Sequence, residues 1–154
     1  MTSTPDRAPL TDALIAALQS VVEFVGDVVA PQEAGWQNFP GGNESIFIPY
    51  VVLTPMVSPA PTGSLGDSQI DWRLPYTLTT YGVTRQQIED VADEARRAVL
   101  GLNNVVISMN DGATAWKIIG VTSQNIGGVG YTDQIKPTAY SQSDSVLVWF
   151  SKKL

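Results

Sequence analysis

The chain has 154 residues, 44% of them hydrophobic and 16% charged, and a formal net charge of -6. That length can bury a core without staples, and the acidic balance argues against general affinity for nucleic-acid backbone, which needs clustered Lys and Arg. With no Cys and no His, disulfides, thiol chemistry, Ser-His-Asp and Cys-His sites and the usual zinc ligand sets are excluded.

Residues 1–9 read as a flexible N-terminal arm, and Met1 to Leu10 lacks the apolar core of a signal peptide. Thr11 or Asp12 is placed to cap a first helix, with Pro9 just outside it. Leu14, Ile15, Leu18, Val21, Val22 and Val25 form one broad apolar stripe. Gly26 is expected to end this helix, with Pro31 beyond.

Gln32 to Ser45 is a loop by composition, yet it carries Trp36 and Phe39. Two large aromatics in a polar loop are more often an anchor onto the core than a binding site. Ile46 to Val57 alternates and is rich in β-branched residues, the pattern of a strand. Pro49 and Pro55 cannot donate to a ladder, which predicts an edge position or bulges. The longest apolar run, Ile46 to Met56, is interrupted by these prolines and falls short of a membrane span. Residues 58–68 read as a mobile connector, joining two strands of a long antiparallel hairpin.

The stretch from Gln69 to Leu102 is the core unit. Trp72, Leu74, Tyr76 and Leu78 alternate with Arg73, Thr77 and Thr79, the period of a half-buried strand. Gly82 breaks the strand, and Thr84-Arg85-Gln86-Gln87 has the form of a capping box, flanked by the staple pair Val83 and Ile88. Ile88, Val91, Ala92, Ala95 and Val99 recur at helical spacing and are expected to face the sheet. Gly101 suits a left-handed C-terminal cap. Glu89, Asp90, Asp93 and Glu94 precede Arg96 and Arg97, the order the helix dipole favours. Most of these acids lie opposite Ile88, Ala92 and Ala95, so a solvated face is a better reading than a metal site.

Val105 to Met109 and Ala115 to Thr122 flank Asp111-Gly112, a hairpin signal. Residues 124–143 read as a second mobile loop. Its Gly127-Gly128-Val129-Gly130 lacks the Gly-Lys-Ser/Thr ending and the following helix of a phosphate cradle. Val146 to Phe150 is apolar on both faces, as in a central strand. The whole, residues 1–154, reads as a single α+β domain: one mainly antiparallel, mixed sheet with two helices packed on one face. The other face is expected to be partly open or covered by a partner. No catalytic, cofactor or metal site emerges, and the protein is expected to work through its surfaces rather than as an enzyme.

The whole chain resembles the tail terminator proteins of long, flexible-tailed (siphovirus-type) bacteriophages of actinobacteria. The resemblance lies in the order of features. An opening helix (Asp12-Ala13-Leu14-Ile15-Ala16-Ala17-Leu18) is followed by the strand Pro49-Tyr50-Val51-Val52-Leu53. A Gly/Ser/Asp loop leads into Asp71-Trp72, then Tyr81-Gly82-Val83-Thr84-Arg85-Gln86-Gln87 and the helix Asp93-Glu94-Ala95-Arg96. Near the end stand Gly127-Gly128-Val129 and a strand closing on Asp144-Ser145, and the Tyr-Gly-Val-Thr-Arg-Gln turn with the following Ala-Arg helix is the most specific piece.

The resemblance implies a homohexameric ring that caps the tail tube, stops its polymerisation and presents the docking surface for the head-tail connector protein. The implied partners are further copies of the chain, the tail tube protein and the connector. DNA only passes through the lumen, without sequence-specific contact, and no membrane is involved. The implied location is the tail or neck of the virion, assembled in the bacterial cytoplasm. Candidate subunit-interface residues are Trp36, Phe39, Leu65 and Asp67. The negative charge suggests a lumen that repels phosphate, unless Arg73, Lys117 and Lys136 cluster at its wall. Alternatives are a head-tail connector or neck completion protein, a tube-like structural protein, a small enzyme or a host-directed binding protein.

Overall fold

The computed structural model describes residues 5–38, 45–57, 72–132 and 139–152. Along the chain these form α1 (Arg7–Gln19), β1 (Val25–Asp27), β2 (Gly35–Asn38), β3 (Ser45–Ile48), β4 (Tyr50–Pro55) and β5 (Trp72–Gly82). Then come α2 (Arg85–Leu100), β6 (Val105–Ser108), β7 (Ala115–Asn125), β8 (Gly130–Thr132) and β9 (Ala139–Lys152). A seven-stranded sheet runs β1-β4-β5-β9-β7-β6, with β8 also paired to β9. Its one parallel pair is β1 with β4, so the sheet is mixed and mainly antiparallel. Both helices pack on one face of it, giving the α+β architecture. Strands β2 and β3 form a separate two-stranded sheet.

The β5–α2 unit positions everything else. Leu74, Tyr76 and Leu78 are buried, while Arg73 points out and is exposed. At Gly82 the chain folds straight back: a Cβ there would lie 2.8 Å from Ile88 Cγ1 and 2.9 Å from Gln87 Oε1. The cap works as the capping-box pattern predicts, since Thr84 Oγ1 accepts from the Gln87 N–H at 3.2 Å. The reciprocal bond differs by one residue: Gln87 Oε1 accepts from the N–H of Val83, at 3.1 Å. Ile88, Ala92, Ala95 and Val99 are buried, whereas Val91 sits half-buried at the helix's flank. Gly101 caps the helix in the right-handed region (φ -77°), and the left-handed residue is instead Asn104 (φ +61°). Its N–H bonds Ile118 O and turns the chain into β6.

The first helix begins earlier than its polar flank suggests. Pro9 lies inside its first turn, where the missing N–H has no helical partner to lose. Asp6 is the N-cap but makes no side-chain cap bond; its Oδ2 accepts from the Asn110 N–H instead. Arg7 fixes the start from outside, donating to Met56 O (2.6 Å) and Pro75 O (2.5 Å) with its guanidinium over the Tyr76 ring. Thr11, expected as a cap, lies in the helix and hydrogen-bonds the Tyr76 hydroxyl at 2.9 Å. Leu10, Leu14 and Leu18 are fully buried, and the helix ends at Ser20 rather than Gly26. Gly26 belongs to β1, where an added Cβ would collide with Val29 O at 2.0 Å.

The expected single strand from Ile46 to Val57 is two strands, parted at Pro49, which has no N–H to continue a ladder. Part of the expected loop 32–45 is β2, entered through Gly35 at φ +80°. β4 and β5 are interior, so Pro49, Pro55 and Pro75 do not mark sheet edges; the strand order ends in the short strands β1 and β6, and β8 is a further edge beside β9. Of residues 124–143, Asn125, Gly130–Thr132 and Ala139–Ser143 pair in the sheet, with Gln124 in a bulge of β7. A ladder needs only backbone groups, so polar strands such as these leave no apolar period. Residues 58–68 and 133–138 lie outside the described residues. The central position of β9, between β5 and β7, is as the apolar run of Val146 to Phe150 predicts. The β6–β7 hairpin turns at Gly112 (φ +71°), and Asp111 Oδ1 accepts from the N–H groups of Ala113 and Thr114.

Leu14 is fully buried between helix and sheet and Val91 is not. Leu14→Ala is therefore expected to lower unfolding free energy by about 2–4 kcal/mol and Val91→Ala by only about 1 kcal/mol. Urea denaturation measures both; equal losses would contradict this assignment of depth.

Candidate functional site

The helix-free face of the sheet carries two different surfaces. At one end it is covered by the β2–β3 hairpin. Trp36 meets Phe47 edge-on at 5.3 Å, Phe47 stacks on Tyr50 at 6.0 Å, and Tyr50 stacks on Tyr81 at 4.8 Å. With Val52 and Ala139 this is a second, smaller core. Trp36 is half-buried in it, the anchoring role its loop setting predicts. Phe39, Leu65 and Asp67, the other candidate interface residues, lie outside the described residues. Burial, and then the charge of the adjacent Tyr81, push the Tyr50 phenol from 10.0 up to about 12.

The rest of that face is open and rich in hydroxyls. Thr77, Thr79, Ser143, Ser145, Leu147 and Trp149 project from β5 and β9 on the side away from the helices. The Arg73 guanidinium lies 4.0 Å from the Trp149 ring centroid, and Trp149 Nε1 donates to Thr122 Oγ1 at 3.3 Å. By strand register Lys117 lies on the same side, opposite Ser151. Thus Arg73 and Lys117 share one face, while Lys136 lies outside the described residues. Glu89, Asp90, Asp93 and Glu94 are on α2, on the other side of the sheet. Glu89 pairs with Arg85 and Asp93 with Arg96, as on a solvated helix face. Among the described residues no group of three or more Asp or Glu side chains is arranged to hold a metal ion.

One ionic contact is buried. Asp144, 2% exposed, receives Arg96 Nη2 at 3.2 Å, the Gly127 N–H at 2.9 Å and Gln142 Nε2 at 3.1 Å. It joins α2, β9 and the glycine-rich segment. The Gly127 N–H is thus committed to a carboxylate of the chain itself, and a Cβ on Gly127 would lie 2.1 Å from Ser143 O. The segment is packed against β9 rather than shaped as an anion cradle. Sequence reading missed Asp144 and the Arg73–Trp149 pair. The signal for the first was an acid at the inward parity of a strand whose neighbours in phase, Val146 and Val148, are apolar. No signal pointed to the second, because cross-strand register decides it.

No family model matches the sequence, and no curated protein does. A solved structure aligns over 96% of this chain and 93% of its own at 15% identity with a TM-score of 0.49, a likeness too slight to carry any argument. Among the described residues no helix is long and apolar enough to cross a membrane.

Two outcomes follow from this geometry. Tyr50 has a folded pKa of about 12 against 10.0 unfolded, so its contribution is intact below pH 10 and is lost as pH rises through 12. Denaturation at pH 9 and pH 11.5 should show Tyr50→Phe losing about 1–3 kcal/mol less over that interval than the parent. Asp144→Ala leaves Arg96 Nη2 and the Gly127 N–H without their acceptor, and should destabilise by about 2–4 kcal/mol. A double-mutant cycle with Arg96→Ala measures the coupling; strict additivity would contradict it.

Proposed function

We propose that this protein is a phage tail terminator: a subunit of a hexameric ring that caps the tail tube, stops its growth and receives the head connector. The reading rests on the chain-long order of features described above, with the strand–Gly82–Thr84 cap–helix turn as its most specific part. The observation that best supports it is the sheet's helix-free face, of which the β2–β3 hairpin covers only one end. A surface that presents Trp149, Leu147 and two cations suits contact with other macromolecules. The absence of Cys and His from the sequence leaves a chemistry-free scaffold as the simpler account, so we read the protein as structural and not as an enzyme. The ring number comes from the resemblance. The ring would be assembled in the bacterial cytoplasm and carried in the tail or neck of the virion, with DNA passing through its lumen.

The test is tube assembly in the presence of the protein. Added to polymerising tail tube subunits, it should halt elongation, and negative-stain microscopy should show one ring at a tube end. The isolated protein should scatter light as a monomer or weak oligomer at low concentration. A tight dimer at every dilution with unchanged tube lengths would sink the reading. Binding to connectors but not to tubes would move the protein to the neck.

A further inference from the structure

The two ends of the strand order, β1 and β6, carry unlike patches. At the first edge β1 runs parallel to β4, so the residues that follow each strand leave the sheet at the same corner. There Val28 is 56%, Val29 69% and Met56 45% exposed. Val28 is also held at φ +67°, a left-handed conformation that a β-branched residue avoids. Its N–H bonds Leu53 O at 2.9 Å, and Val29 O lies against Gly26, so the turn is locked. Among the described residues Val28 belongs to neither core cluster and is more than half exposed, and glycine or asparagine would sit in that backbone without strain. Strain kept at an exposed apolar residue points to a use outside the fold. Beside it stands the exposed acid Asp27.

At the opposite edge Val106 of β6 and Ile119 of β7 are 44% and 39% exposed. Lys117 is the cross-strand partner of Val106 and lies two residues from Ile119, where a bulge follows between Ile118 and Gly120. The first corner is therefore apolar with Asp27 beside Val28 and the Arg7 guanidinium tied to Met56 O, and the other is apolar with Lys117.

We propose that the Val28–Val29–Met56 corner of one subunit docks on the Val106–Ile119 edge of a second copy, with Asp27 facing Lys117. Unlike patches on opposite edges make a head-to-tail contact, which repeats until the rotation closes a ring. Strands of three and four residues are too short to template open-ended strand addition, so side chains carry the contact. Each patch is small, which keeps the free subunit weakly associated. The inference rests on the ring reading above and gives that ring its interface.

The chain has no cysteine, so introduced thiols report position alone. Val29→Cys and Ile119→Cys are made singly and together and treated with a short bis-maleimide. A mixture of the two single variants should give covalent dimer, neither alone should, and the double variant should give a ladder of multimers. Asp27→Lys should lower the mixed yield several-fold, and adding Lys117→Asp should restore it, with unchanged thermal melting showing that each variant is folded. Dimer from Val29→Cys alone as readily as from the mixture, or no mixed product at millimolar protein with and without tail tubes, overturns the interface. If tubes are still capped without any such product, this contact is wrong and the terminator reading stands. A ladder without any effect on tube length supports the contact and counts against the terminator.

Discussion

The constraint on which the fold depends is the closing of one face of a wide sheet with only two helices. Six strands in lateral order, at about 4.8 Å spacing, span about 25 Å. Two helices side by side cover about 20 Å. The cover is made by α2, which returns across β5, β9, β7 and β4, and by α1, which lies beside it. That return depends on Gly82, where strand and helix meet too closely for a Cβ. The shortfall is met at the margins: β1 and β6, of three and four residues, are the shortest strands on the path, and apolar side chains surface beside both.

Where the inner layer turns polar, Thr80, Gln142 and Asp144 are buried. A carboxylate there would be costly alone, but Arg96 and the Gly127 N–H satisfy it. One contact thereby orients α2 over β9 and holds the glycine-rich segment to the sheet. Arg96 leaves its Nε without a partner, so the cluster specifies geometry more than it adds stability.

The helix-free face is divided by chemistry. Its aromatic end is an interior, closed by the β2–β3 hairpin over Tyr50 and Tyr81. Its hydroxyl-rich part is a surface, with Arg73 stacked on Trp149. The helix layer mixes four acids of α2 with Arg85, Arg96 and Arg97, whereas the hydroxyl-rich sheet face carries Arg73 and Lys117.

Local patterns in the chain determine the β5–α2 unit, the Thr84 cap, the inward stripe of α1, the β6–β7 hairpin and the central place of β9. Each depends on residues close in sequence: a period of two, a period of 3.6, a capping hydroxyl, or a glycine in a turn. The start of α1 was not legible, because Arg7 holds it through carbonyls of Met56 and Pro75. The strands within 124–143 were hidden because a ladder is made by backbone groups that every residue has. Trp36 was legible as an anchor, but not the ring stack that receives it. Which prolines lie at an edge, which acid is buried and which valines remain outside are decided only when strands distant in sequence come into register. Lateral order and burial belong to the assembled sheet, and no single segment contains them.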